Sequence, residues 1–272
     1  IATVNSVRMV GATPVFADIE DTTYGLDPVD VEKKITQKTK AIIAVHYGGT
    51  PCKIVELRRI ANKHNLMLIE DAAEAMGAEV DHMPVGRFGD CTALSFCANK
   101  IISTGEGGAL VTANKYIYDK AKLLRSHGRE DGNVNDGSAE RYTSLGYNFR
   151  MSDMTAALGL SQLGKIDKLI AMRQRAAQWY ADGGLPTTVE ESVYQLYTVF
   201  LGANRDRVMR HLQEKEIGCK VYFRPVHLTE YYRVNKWKND VLPVTERVSS
   251  QVLSLPMFPG ITQLEVEEVC QR

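Results

Sequence analysis

Ala41-Ile42-Ile43-Ala44-Val45-His46, the stretch from Lys53 to Asn65, and Leu66-Met67-Leu68-Ile69-Glu70-Asp71 together decide the fold class. The outer two are short apolar runs, the pattern of strands covered on both faces. The middle one carries apolar residues at helical spacing. Strand, helix and strand of these lengths wind as a right-handed crossover and leave the two strands parallel in one sheet. Toward the N-terminus, Ile1 to Val10 has helical spacing and closes at Gly11-Ala12-Thr13-Pro14. Val15-Phe16-Ala17-Asp18-Ile19 reads as a strand, and Asp27-Pro28 gives an N-cap and a first helical residue to a helix over Val29 to Ile35. Toward the C-terminus, Cys91-Thr92-Ala93-Leu94-Ser95-Phe96 predicts a buried strand, Gly105-Glu106-Gly107-Gly108 a tight turn, and Ala109-Leu110-Val111-Thr112 a further strand. The alternation specifies an α/β fold, with a mainly parallel central sheet and helices on both faces.

Tyr116 to Ser126 is helical in pattern, Glu130 to Arg141 reads as a polar mobile loop, and Ser152 caps an apolar helix over Met154 to Leu163. A second long helix spans about Ile166 to Tyr180. Composition then shifts to a strand over Val193 to Phe200, a helix over Arg205 to Lys215, a strand over Cys219 to Phe223 and short helices to the C-terminus. Residues 1–170 are therefore expected to form a large domain and 171–272 a smaller α+β domain.

Acidic and basic residues are matched at 33 each, so no net field draws the chain to nucleic acid or a membrane surface, and a small-molecule substrate is the better expectation. No apolar run approaches the ~20 residues of a bilayer span. Five scattered cysteines without paired spacing point to free thiols in a reducing compartment, the cytoplasm. The histidines show no metal-ligand spacing, and no metal is expected.

In parallel sheets ligands gather at the carboxyl ends of the strands. Asp71 ends one strand and Lys100 follows another. A loop lysine is ordinarily a solvated charge, a strand-end aspartate ordinarily a turn or cap residue, and the glycines after Lys100 fit neither a phosphate loop nor a dinucleotide loop. Together, however, an amine and a carboxylate at one sheet edge suit a Schiff base with pyridoxal phosphate (PLP), whose ring nitrogen needs a carboxylate beside it to stay protonated and accept electrons. Glu70, one step along the strand, points to the opposite face as a packing or surface partner. His46 reads as structural, Tyr222 and Phe223 as core, and His127-Gly128-Arg129 as either a site surface or an exposed helix end.

Ile1-Ala2-Thr3-Val4-Asn5, Gly11 to Phe16, Ile69-Glu70-Asp71-Ala72-Ala73-Glu74-Ala75-Met76-Gly77, Ser95 to Gly108, Ser126-His127-Gly128-Arg129 and Gly146 to Asp153 occur in an order that resembles the DegT/DnrJ/EryC1/StrS sugar aminotransferases. These are fold-type I PLP enzymes, aspartate aminotransferase-like. The likeness spans nearly the whole chain and is nearest to perosamine-synthase-like nucleotide-sugar 4-aminotransferases. It implies that Lys100 bonds the cofactor and shuttles a proton, Asp71 pairs with the ring nitrogen, Ser95 bonds the phosphate and Glu74 lies near the phenolic oxygen. It implies that Asn148 reaches the cofactor phosphate of a partner subunit in a homodimer. His227 is either close to the sugar nucleotide or a satisfied histidine under a turn. The implied reaction moves an amino group from L-glutamate to a keto carbon of a nucleotide-linked keto-deoxy sugar. Dehydratase and deoxygenase relatives typically replace the lysine by histidine, and a regulatory homologue would not need Lys100 with Asp71. The family carries a phosphate-cradling Gly-Thr pair upstream of the segment matching Ile1, and a longer run than Ala181 to Val193. The chain is accordingly expected to belong to a longer protein, lacking that segment and a loop near Gly183-Gly184.

Overall fold

The computed structural model describes all residues except 131–140, 186–191, 235–236 and 238–239. The polar loop expected after Glu130, and residues 186–191 of the run from Ala181 to Val193, thus lie outside the described residues. The chain begins with α1 (Ala2–Met9) and α2 (Pro28–Lys34), followed by β1 (Ala41–Val45), α3 (Ile54–Lys63) and β2 (Met67–Asp71). A small hairpin, β3 (Glu79–Val80) and β4 (Met83–Pro84), precedes β5 (Cys91–Ser95) and β6 (Gly108–Val111). Then come α4 (Lys115–Arg125), α5 (Asp153–Leu163), α6 (Ile166–Asp182), β7 (Tyr197–Phe200), α7 (Arg205–Glu214), α8 (Glu230–Arg233), α9 (Pro243–Gln251), β8 (Val252–Leu255) and α10 (Gln263–Gln271).

The main sheet has the order β1-β2-β5-β6. β1, β2 and β5 run parallel, Val45 beside Asp71 and Asp71 beside Ala93, while β6 returns antiparallel with Gly108 opposite Ser95. Local chemistry sets the helix starts. The Asp27 side chain accepts from Val29 N at 2.9 Å ahead of Pro28, and Ser152 Oγ accepts from Thr155 N at 3.2 Å. Ile42, Ala44, Leu57, Ala61 and Leu68 pack between sheet and α3. Ala72, Ala75, Ala78, Ile101, Ile102 and Val193 form a second cluster. Tyr180, Tyr197, Leu212, Leu253 and Val266 form a third, around β7 and β8. α6 joins the last two, with Ile166 and Ile170 at one end and Ala176, Ala177 and Tyr180 at the other.

Several expectations need correction. Val15 to Ile19 is not a strand; only an isolated bridge joins Ile19 to Leu26. Its Asp18 carboxylate instead accepts from Val244 N (2.9 Å) and Thr245 N (2.8 Å), capping the first turn of α9. Cys219 to Phe223 makes one bridge, Lys220 to Ser254, and Phe223 is exposed rather than core. The partner of β7 is β8, within the stretch expected to be helical. β7 starts only at Tyr197, because Val193 N and Leu196 N donate to Gly49 O and Gly48 O. β1 and β2 bury one face fully, through Ile42, Ala44, Leu68 and Glu70, and the other only in part.

Glu70 is fully buried, not a surface residue. Its carboxylate accepts from Gly89 N (2.6 Å), Gly86 N (2.9 Å) and Phe88 N (3.0 Å), and lies 3.2 Å from His46 Nε2. Since His46 Nδ1 accepts from Cys52 N at 3.1 Å, its proton sits on Nε2, facing Glu70. Burial pushes the Glu70 carboxyl pKa upward, but the bonds from His46, Gly89 and Gly86 outweigh it and hold the group below its usual value. A depressed carboxyl pKa contributes stability that is complete above the unfolded value and lost as pH falls through the folded one. Chemical denaturation of Glu70→Gln is expected to show a deficit of about 2–4 kcal/mol at neutral pH. That deficit should shrink as pH falls below 4.5, the ordinary glutamate value; a pH-independent deficit would contradict this account.

Candidate active site

Asp71 is the last residue of β2 and Ser95 the last of β5, so parallel pairing brings both to one edge of the sheet. Beyond Ser95 the chain leaves the ladder. Phe96 N donates to Gly107 O and Thr104 N to Phe96 O, each at 2.9 Å, closing a loop whose inner turn is pinned by Lys100 N to Cys97 O at 3.0 Å. Ile101 and Ile102 bury directly after Lys100, worth roughly 1.5–3 kcal/mol each, and anchor the turn beneath the lysine. Gly107 has a φ of +146°, and a Cβ there would stand 2.9 Å from Thr104 Oγ1, so the loop closes only with glycine.

Lys100 Nζ lies 3.2 Å from Glu74 Oε1, with the two side chains 15% and 12% exposed. Glu74 Oε2 accepts from Gly48 N at 2.9 Å, so the pair is held from the turn after β1, the turn after β2 and the loop after β5. Asp71 Oδ2 accepts from Thr3 Oγ1 of α1 at 2.6 Å and Oδ1 from Ala73 N at 3.2 Å. Ser95 Oγ accepts from Cys97 N at 3.3 Å, which leaves its hydroxyl hydrogen for another acceptor. Lys100, Glu74, Asp71 and Ser95 thus share the carboxyl edge. The donor set suits PLP: an amine for an aldehyde, a carboxylate for a pyridinium, a hydroxyl for a phosphate.

Other sequence candidates lie apart. His227 is buried, 3.1 Å from Glu246 Oε1 and with its ring 6.1 Å from that of Phe16. Asn148 is exposed, bridged to Ser126, and accepts from Arg150 Nε at 3.2 Å. Neither makes a described hydrogen bond to the four residues above. His127 donates its backbone N–H to Tyr147 O at 2.8 Å, and Tyr222 O accepts from Tyr47 Oη. Three contributors are not singled out by the sequence. Thr3 sits in a segment that reads as helical and enters the family likeness without a role for this residue, Gly48 in a stretch given no reading, and Gln195, whose Nε2 donates to Asn99 O at 2.5 Å, in a stretch expected to be strand.

A mainly parallel sheet with a lysine beyond one inner strand and an aspartate ending its neighbour defines a PLP-dependent transferase of fold type I. Residues 1–272 match the model of the DegT/DnrJ/EryC1/StrS aminotransferase family, and the chain belongs to that family. The GDP-perosamine synthase of Vibrio cholerae is 35% identical over 282 residues, covering 99% of this chain and 75% of that protein. Helicobacter pylori PseC, an aminotransferase of pseudoaminic acid biosynthesis, has a TM-score of 0.93 at 29% identity, over 99% of this chain and 75% of its own. Streptococcus pneumoniae Spr1654, solved in a PLP form, has a TM-score of 0.90 at 25% identity, over 99% of this chain and 76% of its own. PLP is the cofactor of the family. Gly107→Ala is expected to cost about 1–3 kcal/mol, since it forces an alanine into a glycine conformation at a close contact. Thermal unfolding measures this, and an unchanged midpoint would mean that the loop closes without glycine.

Proposed function

We propose that this chain transfers an amino group from L-glutamate to a keto carbon of a nucleotide-linked keto-deoxy sugar. The observation that carries this reading is the enclosed Lys100–Glu74 pair at the same strand edge as Asp71, in a chain similar to a GDP-perosamine synthase. PLP, when bound, supplies the electron sink that lets an amino group change carbon skeletons. The protein supplies the groups around it. Lys100 Nζ would hold the cofactor through its aldehyde and would carry a proton to and from the substrate carbon. Glu74, hydrogen-bonded to Gly48 N, holds that amine and would be the group toward the cofactor's phenolic oxygen. Asp71, fixed by Thr3, would keep a proton on the ring nitrogen, and Ser95 would donate to the phosphate. The bond of His227 to Glu246 supports a structural role for that histidine rather than contact with the sugar nucleotide.

We assign Asn148 to the phosphate of a partner subunit's site, and the assembly to a homodimer. Supporting this, Leu145, Phe149, Met154 and Leu160 form an exposed apolar neighbourhood around Asn148 and α5, and α5 buries no residue. The division into a large domain, 1–170, and a small one, 171–272, is supported by the cluster around β7 and β8, with α6 running across the boundary between them. Placement in the cytoplasm is supported by five free cysteines; no described helix is long and apolar enough to cross a membrane.

The cofactor-loaded chain should show a visible absorbance band that borohydride removes, absent in a folded Lys100→Ala variant. Persistence of the band there would sink the lysine assignment. Asp71→Asn should lower turnover at least about hundredfold in assays of glutamate with a panel of nucleotide-linked keto sugars. In sedimentation the native chain should run at twice 30.3 kDa; a monomer would remove Asn148 from the site.

A further inference from the structure

The segment from Val193 to Leu196 is wedged between the two sides of the lysine site. Val193 N donates to Gly49 O at 3.0 Å and Leu196 N to Gly48 O at 2.9 Å, and Gly48 is the residue whose own N–H holds Glu74. Approach is close here: Gly49 has a φ of +96°, and a Cβ on it would stand 2.8 Å from Gln195 N. From this segment the Gln195 side chain, 5% exposed, donates through Nε2 to Asn99 O at 2.5 Å. Behind it, Arg173 of α6, only 4% exposed, lies with one terminal guanidinium nitrogen 3.0 Å from Tyr194 O, 3.3 Å from Met257 O and 3.4 Å from Gln195 O. No carboxylate pairs with Arg173 among the described residues. Desolvation lowers its pKa to about 10, which still leaves it charged at neutral pH, and the charge faces the backbone carbonyls of Tyr194, Gln195 and Met257.

Asn99 O belongs to the peptide unit that ends at the Lys100 Cα. Because that unit is planar, holding its carbonyl helps hold the Lys100 Cα and the N–Cα axis from which its side chain departs. Glu74 holds the far end of the same side chain. We propose that Gln195 is a positioning residue for Lys100, setting the near end of the lysine while Gly48 and Glu74 set the far end, with Arg173 fixing the strut that carries it. This rests on Lys100 being the reacting amine.

The test compares the native chain with Gln195→Met, which keeps volume, and Gln195→Glu, which keeps shape but has no donor for Asn99 O. Each cofactor-free chain is treated with N-hydroxysuccinimide acetate, and acetylation of Lys100 is read by peptide mass spectrometry against Lys115, whose side chain is 80% exposed. Release of the turn should raise the Lys100 to Lys115 ratio about threefold or more in both variants, the scale of one net hydrogen bond. With cofactor, kcat should fall while the KM for glutamate stays near native. A purely structural residue would lower the melting temperature and leave the native-state labelling ratio alone; an unchanged ratio in a folded variant overturns the proposal. Should both variants unfold, proton exchange in the native chain decides. The Gln195 side-chain amide should exchange about tenfold or more slowly than that of exposed Gln213, and equal rates overturn the proposal equally. A visible band surviving in Lys100→Ala would remove Lys100 from the chemistry without altering the labelling ratio, so the two readings fail separately.

Discussion

A single buried carboxylate, that of Glu70, orders the centre of the molecule. Adjacent residues of a strand face opposite sides, so sending Glu70 into the interior leaves Asp71 on the other side. Such a carboxylate must find donors, and it takes them from His46 at the end of β1 and from the loop of Gly86, Phe88 and Gly89 that leads into β5. Thr92, paired with Glu70 across the sheet, adds a contact at 3.3 Å. The entry and register of β5 are therefore tied to β2 by charge as well as by the ladder. Where β5 ends, Ser95 is placed and the lysine loop begins.

Much of this was legible in the sequence where local chemistry decides the outcome. Asp27 with Pro28 and Ser152 behaved as caps because a cap depends on residues within one turn. The β1–α3–β2 unit followed from two apolar runs flanking one amphipathic stretch. The reading failed where a distant partner takes over. Val15 to Ile19 has strand-like composition, yet Asp18 is occupied by α9, 226 residues away at Val244. β8 reads poorly because four buried residues carry no alternation. Glu70 reads as either a packing or a surface residue, and burial decides for packing, because the donors that keep an interior carboxylate stable are not revealed by its own neighbours.

The site divides along the same line. Lys100 and Asp71 stood out because a strand end is a position that sequence defines, and the family likeness added Glu74, Ser95 and Asn148. Thr3, Gly48 and Gln195 reach their partners across separations of 68, 26 and 96 residues, and each is a common residue type whose role its own neighbours do not announce. The geometry that aims the reactive groups thus lies mainly in contacts without local signature.

The wedge at Val193 to Leu196 also bears on the order in which the molecule is made. A chain emerging from the ribosome can pair β1, β2 and β5 and bury Ile42, Leu57 and Leu68 as soon as those segments are out. Lys100 emerges with them, but the segment that grips Asn99 and Gly48 is synthesised about a hundred residues later and closes a long-range contact. Until then the lysine loop has its Phe96 bonds and no strut. A chain that has released only β1, β2 and β5 therefore holds Lys100 without the contact from Gln195, which lies about a hundred residues further on.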